Sequence, residues 1–265
     1  MRLIVATMAK GIYLALLAAS FCSRSAFAAN DVVPLRHPNL SLSVLQAEEV
    51  GPSNNAANAV AEKPSKQANF EQESASQDAR HIADWVVDSV DNRNLPFVII
   101  DKSQAKVFVF NAEGRLRGAA PALLGLARGD DSVPGIGDRP LSSMRPDERT
   151  TPAGRFVAEL GRSVHGQEIL WVDYAAAISL HRVITTNPKE HRAQRLATPT
   201  PLDNRISFGC INVPAKFFDD IVLPAFKGTN GIVYILPETR SPRKVFAAYD
   251  LYESARQQKL SLLHK

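Results

Sequence analysis

Cys210 is the side chain best suited to nucleophilic chemistry in this sequence. It sits in Arg205-Ile206-Ser207-Phe208-Gly209-Cys210-Ile211-Asn212-Val213-Pro214, with a hydroxyl three positions before the sulfur and a glycine directly before it. Apolar residues flank the thiol on both sides, and Pro214 stands where a first-turn proline is tolerated. The pattern predicts a strand running into a tight turn that presents the thiol at a helix start. Free backbone N–H groups there would favour thiolate over thiol and could hold an oxyanion. The competing reading is a buried structural cysteine. A nucleophilic thiol also needs a base. His181 closes the apolar run Ala177-Ile178-Ser179-Leu180-His181, and an imidazole of unperturbed pKa near 6.5 suits that work. His37 falls in a polar tail, His81 on a helical stretch and His264 near the end, so His165 and His191 stay open as alternatives. No histidine pair has helical ligand spacing, no Gly-x-Ser-x-Gly elbow occurs and no phosphate-cradling glycine loop is present. Neither a metal, a serine nucleophile nor a cofactor is therefore indicated.

The elements that must position these residues read as mainly β with a few short helices. Phe97–Asp101 and Lys106–Phe110 are short β-rich runs that predict an opening hairpin. A Gly/Pro/Asp-rich loop follows from Gly129 to Arg149, of the length that is usually functional or mobile. Further strands are expected after Pro152-Ala153-Gly154, over Glu168–Val172, into His181, and over Ile232–Leu236. Phe217, Phe218, Ile221 and Val222 make a short amphipathic helix after the cysteine.

Outside this domain, placed at 95–238, the chain changes character. Residues 1–28 have a basic start, a short apolar run and Ala26-Phe27-Ala28, which predicts a secretory signal cleaved after Ala28. That apolar run is too short to span a bilayer. Residues 29–77 are polar and read as a disordered linker. Ala79, Ile82, Trp85, Val86 and Val90 predict an entry helix over 78–94, with Trp85 in the core. Residues 239–265 read as a tail with helical potential. The first 28 residues hold three of the 31 basic side chains and no acid, so the exported part balances to +1. Charge is interspersed, which argues against nucleic acid as a partner. Export would also remove Cys22, leaving Cys210 alone, as a free reactive thiol or as half of an intermolecular disulfide but not of an intramolecular one.

The region 95–238 resembles the catalytic domain of the L,D-transpeptidases, bacterial cell-wall enzymes whose signature is a histidine, a spacer, then Ser/Thr-His-Gly-Cys-x-Asn or -Arg. The residues that carry the resemblance are His181 and Ser207-Phe208-Gly209-Cys210-Ile211-Asn212, supported by Val98–Ser103, Thr151–Phe156 and the Gly228-Thr229 turn. It implies a β-sandwich or barrel domain in the periplasm or cell envelope, with peptidoglycan stem peptides as partners. Cys210 would be the acylated nucleophile and His181 its base. Backbone N–H groups of Gly209 and Cys210, with Phe208, would form the oxyanion hole, and Ser207 would hold the turn. Asn212 would support the site or contact substrate. The implied reaction opens an L,D peptide bond and passes the acyl group to an amine. The alternatives are an L,D-carboxypeptidase or amidase using water, and an inactive peptidoglycan-binding module. Three departures stand out: Phe208 replaces the usual histidine, the spacer from His181 to Ser207 is long and reads as a lid, and Arg182 replaces a small residue. The Arg182 guanidinium is expected to bind a substrate carboxylate, with the third catalytic member either a backbone carbonyl or missing.

Overall fold

The computed structural model describes residues 66–263; the expected signal over 1–28 and residues 29–65 of the expected 29–77 linker lie outside the described residues. The last part of that linker is ordered, contrary to its polar composition. Phe70 is buried and sets its ring edge-on against Phe108 and Phe110, at 5.3 and 5.0 Å. Asn69 donates its backbone N–H to the Gly114 carbonyl at 2.8 Å. The buried ring, together with bonds such as that from the Ala68 N–H to Asp84 at 2.8 Å and from the Leu116 N–H to the Asn69 carbonyl at 2.9 Å, anchors the segment.

The entry helix, α1 (Gln77–Ser89), starts where the Ser76 hydroxyl accepts the Ala79 N–H at 3.1 Å. It is shorter than its apolar repeat, because Val90 turns left-handed at φ 58 and caps it. Val90 is therefore partly exposed while Ala79, Ile82, Trp85 and Val86 are buried.

Ten strands follow: β1 (Phe97–Asp101), β2 (Lys106–Phe110), β3 (Leu116–Pro121), β4 (Leu124–Gly125) and β5 (Gly154–Arg162), then β6 (Glu168–Asp173), β7 (Ile178–Arg182), β8 (Arg205–Ser207), β9 (Ile211–Val213) and β10 (Gly231–Ile235). Eight form one mixed sheet in the order β3-β2-β1-β10-β5-β6-β7-β9, and β4 pairs with β8. The β1–β2 hairpin forms as its sequence predicts, with Phe97 opposite Phe110. Edge strand β9 is joined through Leu123 and Asn212, which exchange backbone hydrogen bonds at 2.8 and 2.9 Å, to the stretch leaving edge strand β3. The sheet is thereby nearly closed on itself, which leaves few unpaired edges.

Each face of the sheet carries its own core. Val98, Ile100, Val107 and Val109 point to one that includes Leu180, Ile211 and Phe218. Phe97, Ile99, Phe108 and Phe110 point to the other, under α1 and the C-terminal helices α4 (Pro242–Val245) and α5 (Ala247–Leu263). Central strands are buried on both sides for this reason, and they read in sequence as unbroken apolar runs. The loop 129–149 is held, not loose. Its Ile136 and Met144 are buried, and the Asp130 carboxylate bonds Lys102 and the backbone N–H groups of Glu238, Thr239 and Arg240.

Candidate active site

Strands β7 and β9 run parallel, with Leu180 opposite Ile211 and His181 opposite Asn212. Side chains alternate across a strand, so Ile178, Leu180, Ile211 and Val213 face the core, where all four are buried. Ser179, His181, Cys210 and Asn212 take the other face. Two short neighbouring strands thus gather four polar groups from segments about thirty residues apart.

The thiol does not stand at a helix start. Strand β8 turns at Phe208-Gly209-Cys210 directly into β9, and the next helix, α3 (Ala215–Phe217), begins only after Pro214, which lies just outside it as the cap. Ile211-Asn212-Val213 completes the sheet edge instead, because β7 offers it a partner. The thiol's surroundings therefore come from side chains and turn amides rather than from a helix dipole.

The Ser207 hydroxyl fastens that turn, donating to the Cys210 carbonyl at 2.6 Å and accepting the Gly209 N–H at 3.1 Å. Gly209 N–H is thus committed, which corrects its assignment to the oxyanion hole. Among the described residues no hydrogen-bond partner occupies the N–H of Phe208 or Cys210, and these remain as donors. Gly209 is required for space: its φ is +131°, and a Cβ would lie 2.9 Å from the Thr150 carbonyl oxygen and 2.7 Å from Ile178 Cδ1. Gly209→Ala is expected to cost roughly 2–4 kcal/mol and to slow alkylation of Cys210, read by denaturant midpoint and by mass. Thr151, fully buried, supports the same turn. Its hydroxyl donates to the Gly209 carbonyl at 2.7 Å and accepts the Gly125 N–H at 2.8 Å.

His181 is the histidine brought to the sulfur; His165 and His191 are exposed elsewhere. Its Nδ1 lies 2.7 Å from the Arg182 carbonyl oxygen. A carbonyl only accepts, so Nδ1 carries the proton and Nε2 is left for the thiol. Burial disfavours the Cys210 thiolate, but the hydrogen bond and charge of His181, with further bonds from Ser179, outweigh it and hold the thiol below its usual pKa. Burial likewise disfavours the imidazolium, and the bond and charge of Cys210 outweigh that, raising His181. Both shifts favour a thiolate–imidazolium pair. Ser179, buried, places Oγ 3.6 Å from the sulfur. The sequence carries one signal for it, since it lies two residues before His181 and so on the same strand face.

Arg182 does not do what its position suggests. It lies on the opposite face of β7, bonds Asp219 through Nε at 2.8 Å and stacks on Phe218 at 4.4 Å, so its carboxylate partner belongs to the protein. The guanidinium at the site is that of Arg192, at the start of α2 (Arg192–Ala197) in the spacer, whose Nη1 donates to Asn212 Oδ1 at 2.8 Å. Asn212 is buried and also donates to the Cys210 carbonyl at 3.2 Å. Phe208, half-buried, carries the Arg149 guanidinium on its ring at 4.0 Å. Cys210, His181, Ser207, Phe208, Asn212 and Arg192 line one cavity of about 310 Å³, walled by Leu141 from the loop and by Ile184, Thr186, Asn187 and Glu190 from the spacer.

No family model and no curated protein matches the sequence. Solved structures do. The helical cell shape determining protein Pgp2 of Campylobacter jejuni, in a mutant form, is 13% identical over 63% of this chain and 58% of its own, with a TM-score of 0.36. An L,D-transpeptidase of Xylanimonas cellulosilytica is 14% identical over 53% and 60%, with a TM-score of 0.34. The catalytic domain of the E. faecium L,D-transpeptidase is 15% identical over 53% and 96%, with a TM-score of 0.33. This chain therefore spans less than two thirds of the first of them. Proteins of known structure that it resembles include L,D-transpeptidases and a cell-shape determinant.

Proposed function

We propose that this protein is an exported cysteine peptidyltransferase of the cell envelope that acts on peptidoglycan stem peptides. The observation that carries the reading is the placement of Cys210, His181 and Ser179 together at one lined cavity, with His181 oriented by the Arg182 carbonyl so that the imidazole favours the thiolate. The Ser-x-Gly-Cys-x-Asn motif with its upstream histidine supplies the substrate class. In the reaction, the Cys210 sulfur attacks the carbonyl carbon of the L,D bond. The N–H groups of Cys210 and Phe208 receive the developing oxyanion, an arrangement worth roughly 3 kcal/mol per donor. His181 gives its Nε2 proton to the departing amine of the D-residue as the C–N bond breaks, leaving a thioester on Cys210. An amine from a second stem or a protein then attacks the thioester, His181 takes its proton, and the sulfur departs as thiolate. Asn212 and Ser207 hold the site in place, and Phe208 forms its wall.

Purified protein incubated with labelled stem tetrapeptide and an amine acceptor is expected to give a cross-linked product and a thioester adduct of Cys210 by mass. Thioester with free acid as the sole product would assign it as a carboxypeptidase using water. No adduct at all, with a thiol no faster than free cysteine, would leave a peptidoglycan-binding module.

A further inference from the structure

We propose that Arg192 is the anion-recognition residue of the Cys210 cavity and makes the site selective for substrates bearing a free carboxylate beside the bond attacked. The inference rests on the peptidyltransferase reading for its substrate and adds what that substrate must carry. Arg192 lies in the spacer, yet its side chain is 12% exposed and lines the same cavity as Cys210 and His181. Its head is fixed on two sides. Nε donates to Glu190 Oε2 at 2.5 Å, and Nη1 donates to Asn212 Oδ1 at 2.8 Å. The amide of Asn212 is itself oriented, since its Nδ2 donates to the Cys210 carbonyl. The strand that begins at the nucleophile therefore sets the guanidinium.

A guanidinium has five N–H donors, and these two bonds use two of them. The other three, on Nη1 and Nη2, take no intramolecular partner among the described residues. A largely buried charge with a fixed head and open donors is matched by a planar carboxylate, which accepts two parallel bonds. Apart from the Cys210–His181 pair itself, nothing lining the cavity competes for that anion or repels it. Glu190 is the sole acid there and is already bonded to Arg192, while Leu141, Ile184 and Phe208 supply apolar walls. The charge is also felt at the catalytic pair, where it opposes protonation of His181. Arg192 acts on a substrate group away from the reacting atoms, so it governs selection rather than bond breaking.

The test uses small alkylating probes on the full chain, so it does not depend on transpeptidation. Iodoacetate and iodoacetamide both alkylate a thiolate, the S–C bond forming as iodide leaves. They differ in carrying a carboxylate or a neutral amide. Modification is read on the tryptic peptide that contains Cys210, which separates it from Cys22. The iodoacetate-to-iodoacetamide rate ratio is expected to fall about tenfold in Arg192→Gln, whatever change the lost charge makes to the iodoacetamide rate itself, and to fall less in Arg192→Lys. An unchanged ratio in Arg192→Gln overturns the proposal. In the unsubstituted protein, acetyl-D-alanine is expected to protect Cys210 from iodoacetamide at about tenfold lower concentration than its amide. Equal protection by the two, or none by either, overturns it without any variant. A thiol sluggish towards both reagents would instead sink the peptidyltransferase reading itself.

Discussion

Replacing His181 with alanine is expected to lower kcat/KM on stem peptides by about 10²–10⁴-fold and to move the pH midpoint of Cys210 alkylation upward. The direction follows from the opposing influences on the sulfur. Burial pushes the thiol pKa up, and in the native protein the hydrogen bond and charge of His181 more than cancel it. Without the imidazole, burial stands against Ser179 alone, so the midpoint should pass from below the ordinary thiol value of about 8.5 to at or above it. The native protein should show a bell-shaped rate profile. Its acid limb marks protonation of a thiolate whose pKa is depressed, and its alkaline limb marks loss of an imidazolium proton whose pKa is raised. The two limbs belong to the pair rather than to either residue. Iodoacetamide, being neutral, reads the thiolate directly. An alkylation profile unaltered by His181→Ala would remove the base from the mechanism.

The pair was legible in sequence because cysteine and histidine are few and chemically distinctive, and because His181 lies at the end of an apolar run and Cys210 at the start of one, both of which fold as strands. The strands were legible for a related reason: a segment buried on both faces reads as continuous apolar sequence, as Phe97–Asp101 and Gly231–Ile235 do. What surrounds the pair was not. Thr151 reaches the Gly209 carbonyl across 58 positions, and Arg192 reaches Asn212 across 20, so neither contact leaves a local pattern. Adjacency to His181 points Arg182 towards substrate, but adjacency along a strand puts a side chain on the opposite face. Phe70 leaves no local pattern either: one ring in a polar stretch has no periodicity, although its pocket is built by β2. The helix expected after Cys210 failed similarly. Pro214 resembles a first-turn proline, and only the pairing with β7 shows that three residues of strand come first.

The largest loss of stability is expected from Asp130→Ala, at about 3–5 kcal/mol, because it strands a buried lysine. Lys102 is wholly buried and donates to Asp130 Oδ1 at 2.8 Å, to the Gly129 carbonyl at 2.5 Å and to the Thr151 carbonyl at 3.0 Å. Asp130 is also buried. Burial opposes its ionisation, but Lys102, Thr239 and the Glu238 N–H together hold its carboxyl well below the usual range. A depressed carboxylate contributes stability that is fully present above its unfolded pKa of about 3.9 and is lost as pH falls towards the folded value. The gap between the native protein and Asp130→Ala should therefore be flat through neutrality and shrink below about pH 4. For a chain of this size the melting temperature should drop by roughly 6–20 °C. Lys102→Met should cost less, since Asp130 keeps the N–H groups of Glu238, Thr239 and Arg240 and the Thr239 hydroxyl as donors. Asp130→Ala removes all of those acceptor sites at once. Both variants should slow alkylation of Cys210 at temperatures where they remain folded, because Lys102 holds the carbonyl of Thr151 and Thr151 holds Gly209. If Lys102→Met proves the more damaging of the two, the carboxylate is the weaker partner and the lysine anchors the thiol turn chiefly through Gly129 and Thr151.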